Sequence, residues 1–453
     1  MQQTILGRIV SDKAVWLQAH QKRLPLSDFQ PFLVPSGRNF YEALSGNQTH
    51  FILECKKASP SKGIIRDDFD PARIAAIYSN FASVISVLTD EKYFQGSFDF
   101  LSQVSAAAHQ PVLCKDFFID PYQIYLARYY KADAILLMLS VLDDCQYRQL
   151  AAVAHSLNMG ILTEVSNEAE LMRAIALKAQ VVGINNRDLR DLSVDLNRTR
   201  KLAPRLPENV TIISESGINH HAQVRELSQY ANGFLIGSAL MAEHNLTLAL
   251  HRLLLGDNKV CGLTRPEDAT AASQAGAIYG GLIFVKDSPR LVSEHQAREI
   301  INTTDLRYVG VFRNAIISDI VTYAVRLSLS AIQLHGQEDQ STITALRKAL
   351  PQSVQIWKAL SVDVRLPSMT WSDVDRYLLD NGPGGTGAQF DWSLLSGVNL
   401  TNTMLAGGLN AENCVQAAQF GCAGLDFNSG VETTPGCKDA TKIANVFRLL
   451  RAY

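Results

Sequence analysis

Short apolar runs rich in β-branched residues recur along the chain, separated by longer stretches with apolar residues at helical spacing. Such runs predict strands of a buried parallel sheet, and the stretches between them predict helices. The first eight runs are FILEC (51–55), VISVL (84–88), PVLC (111–114), AILLML (134–139), GILTEV (160–165), VVGI (181–184), VTIIS (210–214) and GFLIG (233–237). Eight strand–helix units are typical of a closed (β/α)8 barrel, with an open doubly wound sheet as the alternative.

The same pattern then begins again. The second eight runs are KVCGL (259–263), GLIFV (281–285), YVGVF (308–312), AIQL (331–334), QIWKAL (355–360), RYLLD (376–380), TMLAGG (403–408) and AGLDF (423–427). The sequence therefore predicts an α/β fold of two consecutive (β/α)8 TIM barrels. Asp-Pro pairs at 70–71 and 120–121 are expected helix starts.

The predicted boundary lies where the first set of runs ends. Gly256 follows an apolar helical pattern (246–255), and glycine commonly stops a helix at this position. We therefore predict a first barrel over residues 1–256 and a second over residues 257–453. Helical patterns within residues 1–50 predict extra helices before the first strand of the first barrel.

Composition narrows the functional classes. The chain has 453 residues, with 42 Lys and Arg against 44 Asp and Glu, and 47% of its residues are hydrophobic. The net charge of −2, without a basic block, predicts no nucleic-acid partner. The longest purely apolar run, residues 134–139, is far shorter than a membrane span of about 20 residues, and the N-terminus lacks a secretory pattern. Seven cysteines without CxxC, HExxH or a close Cys/His cluster predict neither disulfides nor a metal site, so we expect a cytoplasmic protein.

In the first barrel, charged and amide side chains end or follow the strand runs, where barrels of this class carry their chemistry. Charges are costly inside apolar runs, so several of them at one mouth indicate function rather than solvated strand ends. The candidate catalytic residues are Glu54, Lys56, Lys115, Glu164 and Asn185. The candidate substrate- and phosphate-binding residues are Ser59, Arg187, Ser216, Gly217, Gly237 and Ser238. The last four follow strands seven and eight, where backbone N–H groups commonly bind phosphate, although ordinary strand-to-helix turns are the alternative interpretation.

In the second barrel, Cys261 in the first run and Asp380 at the end of the sixth are predicted to face each other as an acid/base pair. A structural buried cysteine is the alternative. The candidate substrate- and phosphate-binding residues are Arg290, Gly407, Gly408, Asp426, Asn428 and Ser429. The segment GPGGTG (382–387) lacks the GK[ST] ending of a P-loop, so we interpret it as a mobile loop over the site.

At these positions the chain resembles the fused family of enteric bacteria that joins indole-3-glycerol-phosphate synthase to phosphoribosylanthranilate isomerase in tryptophan biosynthesis. ILECKKASPSKG, CKDF, LTEV, GINNRDL, SESGI and LIGSALM resemble synthase motifs, and KVCGLTR, SPR, VGVF, QLHG, LLDNGPGGTG, FDW, LAGGL and GLDFNSGVE resemble isomerase motifs. The resemblance implies two (β/α)8 barrels, small phosphorylated anthranilate substrates, and no metal or other cofactor. We expect a monomer.

Two consecutive reactions are implied by this resemblance. The isomerase half would convert N-(5-phosphoribosyl)anthranilate to 1-(2-carboxyphenylamino)-1-deoxyribulose 5-phosphate, which is an Amadori rearrangement. The synthase half would close the indole ring of that product with loss of CO₂ and water. The alternatives are a phosphosugar-binding double barrel without catalysis, and another Amadori isomerase that uses two carboxyl groups.

In the synthase half, Lys115 is expected to be the general acid of ring closure, with a pKa lowered by neighbouring cations. Glu164 is expected to move protons during dehydration, and Glu54 and Asn185 to position or polarise the reacting groups. Lys56 is expected to add a positive charge, and the substrate phosphate to rest mainly on backbone N–H groups.

In the isomerase half, Asp380 is expected to protonate the furanose ring oxygen and Cys261 to take the proton from C2′. The cysteine would need a thiol pKa below its ordinary value, lowered by either Lys259 or Arg265. Arg290 is expected to bind the anthranilate carboxylate, because its planar fork matches that group.

Overall fold

The computed structural model describes residues 4–382 and 387–451, and its principal strands form two closed barrels. In each barrel every strand runs parallel to its neighbours, and the first strand pairs with the last. The prediction of two (β/α)8 barrels is therefore confirmed, and the open sheet is wrong for both halves. Each of the sixteen predicted runs overlaps an observed barrel strand.

The strands of the first barrel follow one another around its wall in chain order. They are β1 His50–Cys55, β2 Val84–Leu88, β3 Val112–Lys115, β4 Ala134–Met138, β5 Gly160–Val165, β6 Val181–Asn185, β7 Thr211–Glu215 and β8 Gly233–Ile236. A short hairpin, Ala58–Ser59 with Gly63–Ile64, follows β1 and was not predicted.

Helices connect these strands and also precede them. They are Ile5–Arg23, Leu26–Phe29, Phe40–Ala43, Pro71–Tyr78, Glu91–Phe94, Phe98–Ala107, Pro121–Tyr129, Asp144–Ser156, Glu168–Ala176, Asn197–Leu202, His221–Leu227, Ser238–Met241 and Leu246–Leu255, with 3₁₀ turns at Gln30–Phe32 and Ala203–Arg205. The helices before β1 confirm the expected N-terminal addition. Asp70 and Asp120 cap the helices that begin at Pro71 and Pro121, as predicted, because each side chain accepts a backbone N–H of the first turn.

Aliphatic side chains, one from each strand, fill the interior of the first barrel. They are Ile52, Val84, Leu113, Leu136, Leu162, Val181, Ile213 and Leu235. None is more than 5% exposed, and burial of one such side chain contributes about 1.5–3 kcal/mol. Side chains alternate in direction along a strand, so residues two positions further on also point inward, towards the carboxyl-terminal mouth.

The second barrel repeats the arrangement with a shorter first strand. Its strands are β9 Lys259–Val260, β10 Tyr279–Ile283, β11 Arg307–Phe312, β12 Ala331–Leu334, β13 Gln355–Val362, β14 Arg376–Asn381, β15 Thr403–Leu405 and β16 Gly424–Phe427. Its helices are Pro266–Ala275, Glu294–Ile301, Ile317–Arg326, Gln340–Ala349, Cys414–Ala418 and Ala440–Leu450, with 3₁₀ turns at Trp392–Leu395 and Ser429–Val431.

Two connections of the second barrel depart from the strand–helix alternation. Residues 363–375, all described, join β13 to β14 without a helix, and Pro367 within them disfavours one. The described residues between β14 and β15 contain only the turn Trp392–Leu395. A further hairpin, Glu432–Thr434 with Cys437–Lys438, follows β16 and was not predicted.

By its internal contacts the chain divides into two compact units, Met1–Asn219 with Gln223–Leu250, and His220–Ala222 with His251–Tyr453. The helix Leu246–Leu255 ends at Gly256, whose φ of 90° is the left-handed conformation expected of a glycine stop. The boundary at 256/257 stays a prediction about where the halves can be separated. Across residues 4–382 and 387–451, no helix combines the length and apolar character that a membrane span requires.

Candidate active sites

Polar side chains line the mouth of the first barrel, two residues beyond its apolar layer. The inward pairs are Ile52 and Glu54 on β1, Leu113 and Lys115 on β3, Leu162 and Glu164 on β5, and Ile213 and Glu215 on β7. The three glutamates are at most 4% exposed. The barrel wall therefore holds a cluster of charges largely out of water.

Lys115 lies among these carboxylates. Its Nζ is 3.0 Å from Oε2 of Glu215 and 3.8 Å from Oε1 of Glu54. Burial lowers the pKa of Lys115, but the carboxylates of Glu215, Glu54 and Glu164 together outweigh burial, and the pKa is raised. The expectation of a pKa lowered by neighbouring cations is therefore wrong, because the charges that dominate around this ammonium group are anionic.

For Glu164 the surroundings disfavour the charged form, because burial and the nearby Glu215 both oppose its ionisation. They raise its pKa to about 7, against the opposing charge of Lys115 and a hydrogen bond from Asn185. Oδ1 of Asn185 accepts the backbone N–H of Arg187 at 2.9 Å, so the amide group of Asn185 keeps its N–H₂ for Glu164. Near neutral pH both forms of Glu164 are populated, as a group that moves protons requires.

A cavity of about 100 Å³ opens onto this cluster. Most of the predicted residues line it, namely Glu54, Lys56, Ser59, Lys115, Glu164, Asn185, Arg187, Ser216 and Ser238. Apolar side chains also line the cavity, among them Ile5 and Ile9 of the N-terminal helix and Phe94 of the helix after β2. The Nζ of Lys56 lies 3.4 Å from Oε2 of Glu54 and 5.6 Å from the ring centre of Phe94.

Gly217 and Gly237 are not among the residues that line this cavity. Ser216 and Gly217 have φ angles of 66° and 81°, so a tight left-handed turn follows β7. At Gly237 the constraint is contact, because a Cβ there would lie 2.4 Å from Oε2 of Glu54. Gly237 therefore makes room for the Glu54 carboxylate. This reason for a glycine was not predicted from the sequence.

Glu215 was not among the predicted site residues, although it makes the shortest ion pair of Lys115. It is fully buried, and its Oε1 has no hydrogen-bond partner within the described part of the chain. The alternating direction of side chains along a strand would have identified it. Ile213 belongs to the apolar layer, so Glu215, two positions further on, must also point into the barrel.

The second barrel has a larger cavity at its mouth, of about 350 Å³. All eight predicted residues line it, namely Cys261, Arg290, Asp380, Gly407, Gly408, Asp426, Asn428 and Ser429. Of the predicted loop 382–387, residues 383–386 lie outside the described residues, and Gly387 lines the cavity. The expected acid and base therefore share one cavity.

Cys261 is 5% exposed, and its protonation depends on opposing effects. Burial raises the pKa of the thiol, the ammonium groups of Lys259 and Lys438 lower it, and Asp426 raises it again. The resulting pKa lies above the ordinary value. The expected lowering is therefore wrong, because burial outweighs the nearby cations.

Of the two cations proposed to act on the thiol, Lys259 is the one beside it. Its Nζ is fully buried and lies 2.8 Å from Oδ2 of Asp426 and 2.9 Å from Oε1 of Gln333. Arg265 instead pairs with Asp268 at 2.5 Å. Oδ1 of Asp426 is buried without a hydrogen-bond partner among the described residues, and burial raises the pKa of this carboxyl group.

Arg290 is held by the unpredicted hairpin after β16. Its Nε and Nη2 donate to the two carboxylate oxygens of Glu432 at 2.8 and 2.7 Å. Lys438 also donates to Glu432 at 2.7 Å and to Oδ1 of Asn428 at 2.8 Å. Glu432 takes Nε–H and one N–H of Nη2, so the other fork of the guanidinium group, made of one N–H each from Nη1 and Nη2, lies outside this ion pair. The expectation that Arg290 binds a substrate carboxylate stays a prediction.

Asp380 lies beside His335, a residue that the sequence analysis did not select. Oδ1 of Asp380 accepts the backbone N–H of Asn381 at 2.8 Å, and Oδ2 is 3.7 Å from Nε2 of His335. Nδ1 of His335 is 3.2 Å from Nε2 of Gln333, and both residues line the cavity. Gln333 and His335 belong to QLHG, a motif that carried the resemblance without receiving a role.

The predicted phosphate residues of the second barrel cluster at the ends of β15 and β16. Gly407 and Gly408 have φ angles of 90° and 63°, and a Cβ on Gly408 would lie 2.5 Å from the carbonyl oxygen of Gly387. Only glycine fits such a close approach of two backbone segments. Ser429 begins a 3₁₀ turn after Asn428, and both residues line the same cavity.

Comparisons with known proteins agree with both halves. Residues 6–253 match the family model "Indole-3-glycerol phosphate synthase", and residues 258–448 match "N-(5'phosphoribosyl)anthranilate (PRA) isomerase". The chain is similar to three proteins called "Tryptophan biosynthesis protein TrpCF". That of Salmonella typhi is 69% identical over all of both chains. Those of Yersinia pestis and Vibrio cholerae are 66% and 58% identical over 99% of this chain, with 95% and 96% of their own lengths covered.

Proposed function

The chain belongs to the family that joins indole-3-glycerol-phosphate synthase to phosphoribosylanthranilate isomerase, and we propose that the two barrel mouths described above are its active sites. The bifunctional enzyme expected from the motifs is confirmed. The N-terminal barrel is the decarboxylating lyase, and the C-terminal barrel is the isomerase. The observation that carries our residue assignment is that each mouth gathers groups able to donate and accept protons around one cavity.

In the isomerase, Asp380 gives its proton to the furanose ring oxygen, the C1′–O bond breaks, and the chain opens to an iminium ion. The thiolate of Cys261 then removes the proton from C2′, which leaves an enolamine that becomes the ketose. Because burial raises the pKa of Cys261, the thiolate is a minor form at neutral pH, but it is a correspondingly strong base. The ammonium of Lys259 stabilises that anion.

Arg290 binds the anthranilate carboxylate through the fork of Nη1 and the second N–H of Nη2, while Glu432 holds the plane of the guanidinium group. Glu432 thereby aims Arg290 into the cavity. Gly407, Gly408, Asn428 and Ser429 bind the phosphate mainly through backbone N–H groups. In the synthase, Ser59, Arg187, Ser216 and Ser238 contact the substrate, with Gly217 and Gly237 shaping the turns that carry the phosphate-binding N–H groups.

In the synthase, Lys115 protonates the ketose oxygen as the aromatic carbon attacks, and Glu164 moves the proton during dehydration. The surrounding carboxylates keep Lys115 as an ammonium group across the neutral range. Glu54 and Lys56 position the reacting groups around Lys115, and Asn185 positions Glu164. Loss of CO₂ restores aromaticity only after the new carbon–carbon bond has formed, so the protein's main work is proton transfer and orientation.

The two activities give a direct test, because each variant has an internal control in the other barrel. Lys115→Met and Cys261→Ala should each lower one activity by roughly 10² or more and leave the other within a factor of two. A continuous assay from phosphoribosylanthranilate to indole glycerol phosphate, with each step also followed separately, measures both. Loss of isomerase activity in Lys115→Met with an intact fold would refute the assignment of sites to barrels.

We further propose that the barrels are separable at 256/257 and that the chain acts as a cytoplasmic monomer. Two complete sets of candidate residues, one in each barrel, support separability. Residues 1–256 and 257–453, expressed separately, should each keep one activity. Sedimentation of the whole chain at assay concentration tests the monomeric state.

A further inference from the structure

We propose that Gln333 and His335 are positioning residues of the isomerase reaction, which hold a neutral imidazole with its proton on Nε2 against the carboxyl group of Asp380. The inference rests on the proposed function, because it assigns Asp380 the role of acid. It concerns a motif, QLHG, that the proposed mechanism has not otherwise used.

The contact with Lys259 fixes the orientation of the Gln333 amide. Nζ of Lys259 is 2.9 Å from the Gln333 side chain, and an ammonium group can only donate hydrogen bonds. The atom that faces Lys259 must therefore be the carbonyl Oε1, whatever other contacts the amide makes. The N–H₂ group then faces the other way, 3.2 Å from Nδ1 of His335.

The orientation of this amide in turn fixes the tautomer of His335. An amide N–H₂ can only donate, so Nδ1 must be the unprotonated nitrogen that accepts. A neutral imidazole has one N–H, which is therefore on Nε2, the nitrogen that lies 3.7 Å from Oδ2 of Asp380. Lys259 and Gln333 are at most 1% exposed, so water does not compete for these bonds, and Asp426 fixes Lys259 at 2.8 Å.

Burial and the nearby cations keep this imidazole neutral. Burial and the cations Lys259, Arg313 and Lys358 lower the pKa of His335 to about 4, and Glu338 opposes them. Lys358 is itself paired with Glu338 at 2.8 Å, which weakens the attraction of that carboxylate for a charged imidazole. The neutral form therefore persists across the working pH range.

A neutral Nε2–H group suits an acid that must first keep its proton and then lose it. With a low pKa, His335 does not take the proton of Asp380 before the substrate does. Once Asp380 has protonated the ring oxygen, its carboxylate attracts the Nε2–H donor. The present 3.7 Å is too long for a hydrogen bond, and contacts of this kind often shorten only when substrate is bound.

The test is the tautomer itself, read from ¹⁵N chemical shifts of the histidine ring in the full-length protein. The signal among the ten histidines is assigned by its loss in His335→Asn. In the wild type we expect Nε2–H at pH 7. In Gln333→Glu, both carboxylate oxygens are acceptors, so the group that faces Nδ1 now accepts, and the proton should move to Nδ1.

Gln333→Glu should also lower isomerase kcat about tenfold or more, which corresponds to about 1.4 kcal/mol. The KM should change much less, and synthase activity should stay unchanged. Gln333→Leu, which offers no polar atom to Nδ1, should show a mixture of both tautomers. It replaces the glutamate variant in the test if that variant does not fold. Gln416→Glu, with the same charge change on an exposed helix position, is the matched control and should behave as wild type.

Nδ1–H or a cationic His335 in the wild type would overturn the proposal. So would an unmoved tautomer in Gln333→Glu, or a moved tautomer with kcat within a factor of two of wild type. A failure of the proposed function looks different: Asp380→Asn would keep isomerase activity while wild-type His335 still shows Nε2–H.

Discussion

Replacing Gly237 by alanine should lower the rate of the synthase reaction and not only weaken phosphate binding. A Cβ at this position would lie 2.4 Å from Oε2 and 3.0 Å from Cβ of Glu54. Ordinary contact begins at 3.4 Å, so the Glu54 carboxylate must move by roughly 1 Å. A displacement of that size in a group that positions a reacting centre can cost about 10²-fold in rate.

The carboxylate cannot move without affecting its neighbours. Oε2 of Glu54 lies 3.4 Å from Nζ of Lys56, and Oε1 lies 3.8 Å from Nζ of Lys115. We therefore expect synthase kcat in Gly237→Ala to fall by about 10², with a smaller rise in KM. A role in phosphate binding alone would raise KM and leave kcat unchanged.

The assay is steady-state synthase kinetics with the deoxyribulose intermediate, with isomerase activity of the same sample as internal standard. Gly37→Ala is the matched control, because nothing lies within 4 Å of a Cβ there. A synthase kcat within twofold of wild type in Gly237→Ala would refute the argument from Glu54, whatever happens to KM.

Three further outcomes follow from the sites. Lys115→Met should lower synthase turnover by roughly 10² or more, the contribution of a positioned acid, and residual activity within twofold of wild type would remove Lys115 from the mechanism. Cys261→Ser should be nearly as inactive an isomerase as Cys261→Ala, because a hydroxyl supplies no anion near neutral pH; near-full turnover of the serine variant would point to another base. Folding raises the pKa of Glu164 to about 7, so its ionisation costs stability as pH rises from the ordinary carboxyl range through 7. The free energy of unfolding of Glu164→Gln, minus that of wild type, should therefore be about 2–3 kcal/mol larger at pH 8 than at pH 5, as measured by urea unfolding of the first barrel. No change in this difference between the two pH values would contradict the argument.

The fold and most cavity-lining residues were predictable because both depend on local periodicity. Apolar runs mark the strands, and residues at their carboxyl ends meet at one mouth whatever the loops do. The same reasoning, carried one step further, would have found Glu215, because it lies two positions after Ile213 on one strand face. The helix missing between β13 and β14 was not predictable from the strand pattern alone.

The predictions that proved wrong concern properties that depend on which charges meet across the barrel. Lys115 was expected among cations because other cations, such as Lys56 and Arg187, were predicted at the same mouth, yet Glu54 and Glu215 are its ion-pair partners. A pKa depends on distances between residues that are far apart in the chain. Strand order alone does not supply those distances.

Cys261 and Arg290 both lie in buried networks of charges. Arg290 is paired with Glu432, and Lys259 is paired with Asp426 beside Cys261. Buried ion pairs contribute little net stability, and apolar replacements of both partners are often neutral or stabilising. The networks are therefore better explained by catalysis, where a group fixed in place before the substrate arrives avoids reorganisation during the reaction. On this argument, replacing Glu432 by Gln should cost isomerase activity even if the second barrel becomes no less stable.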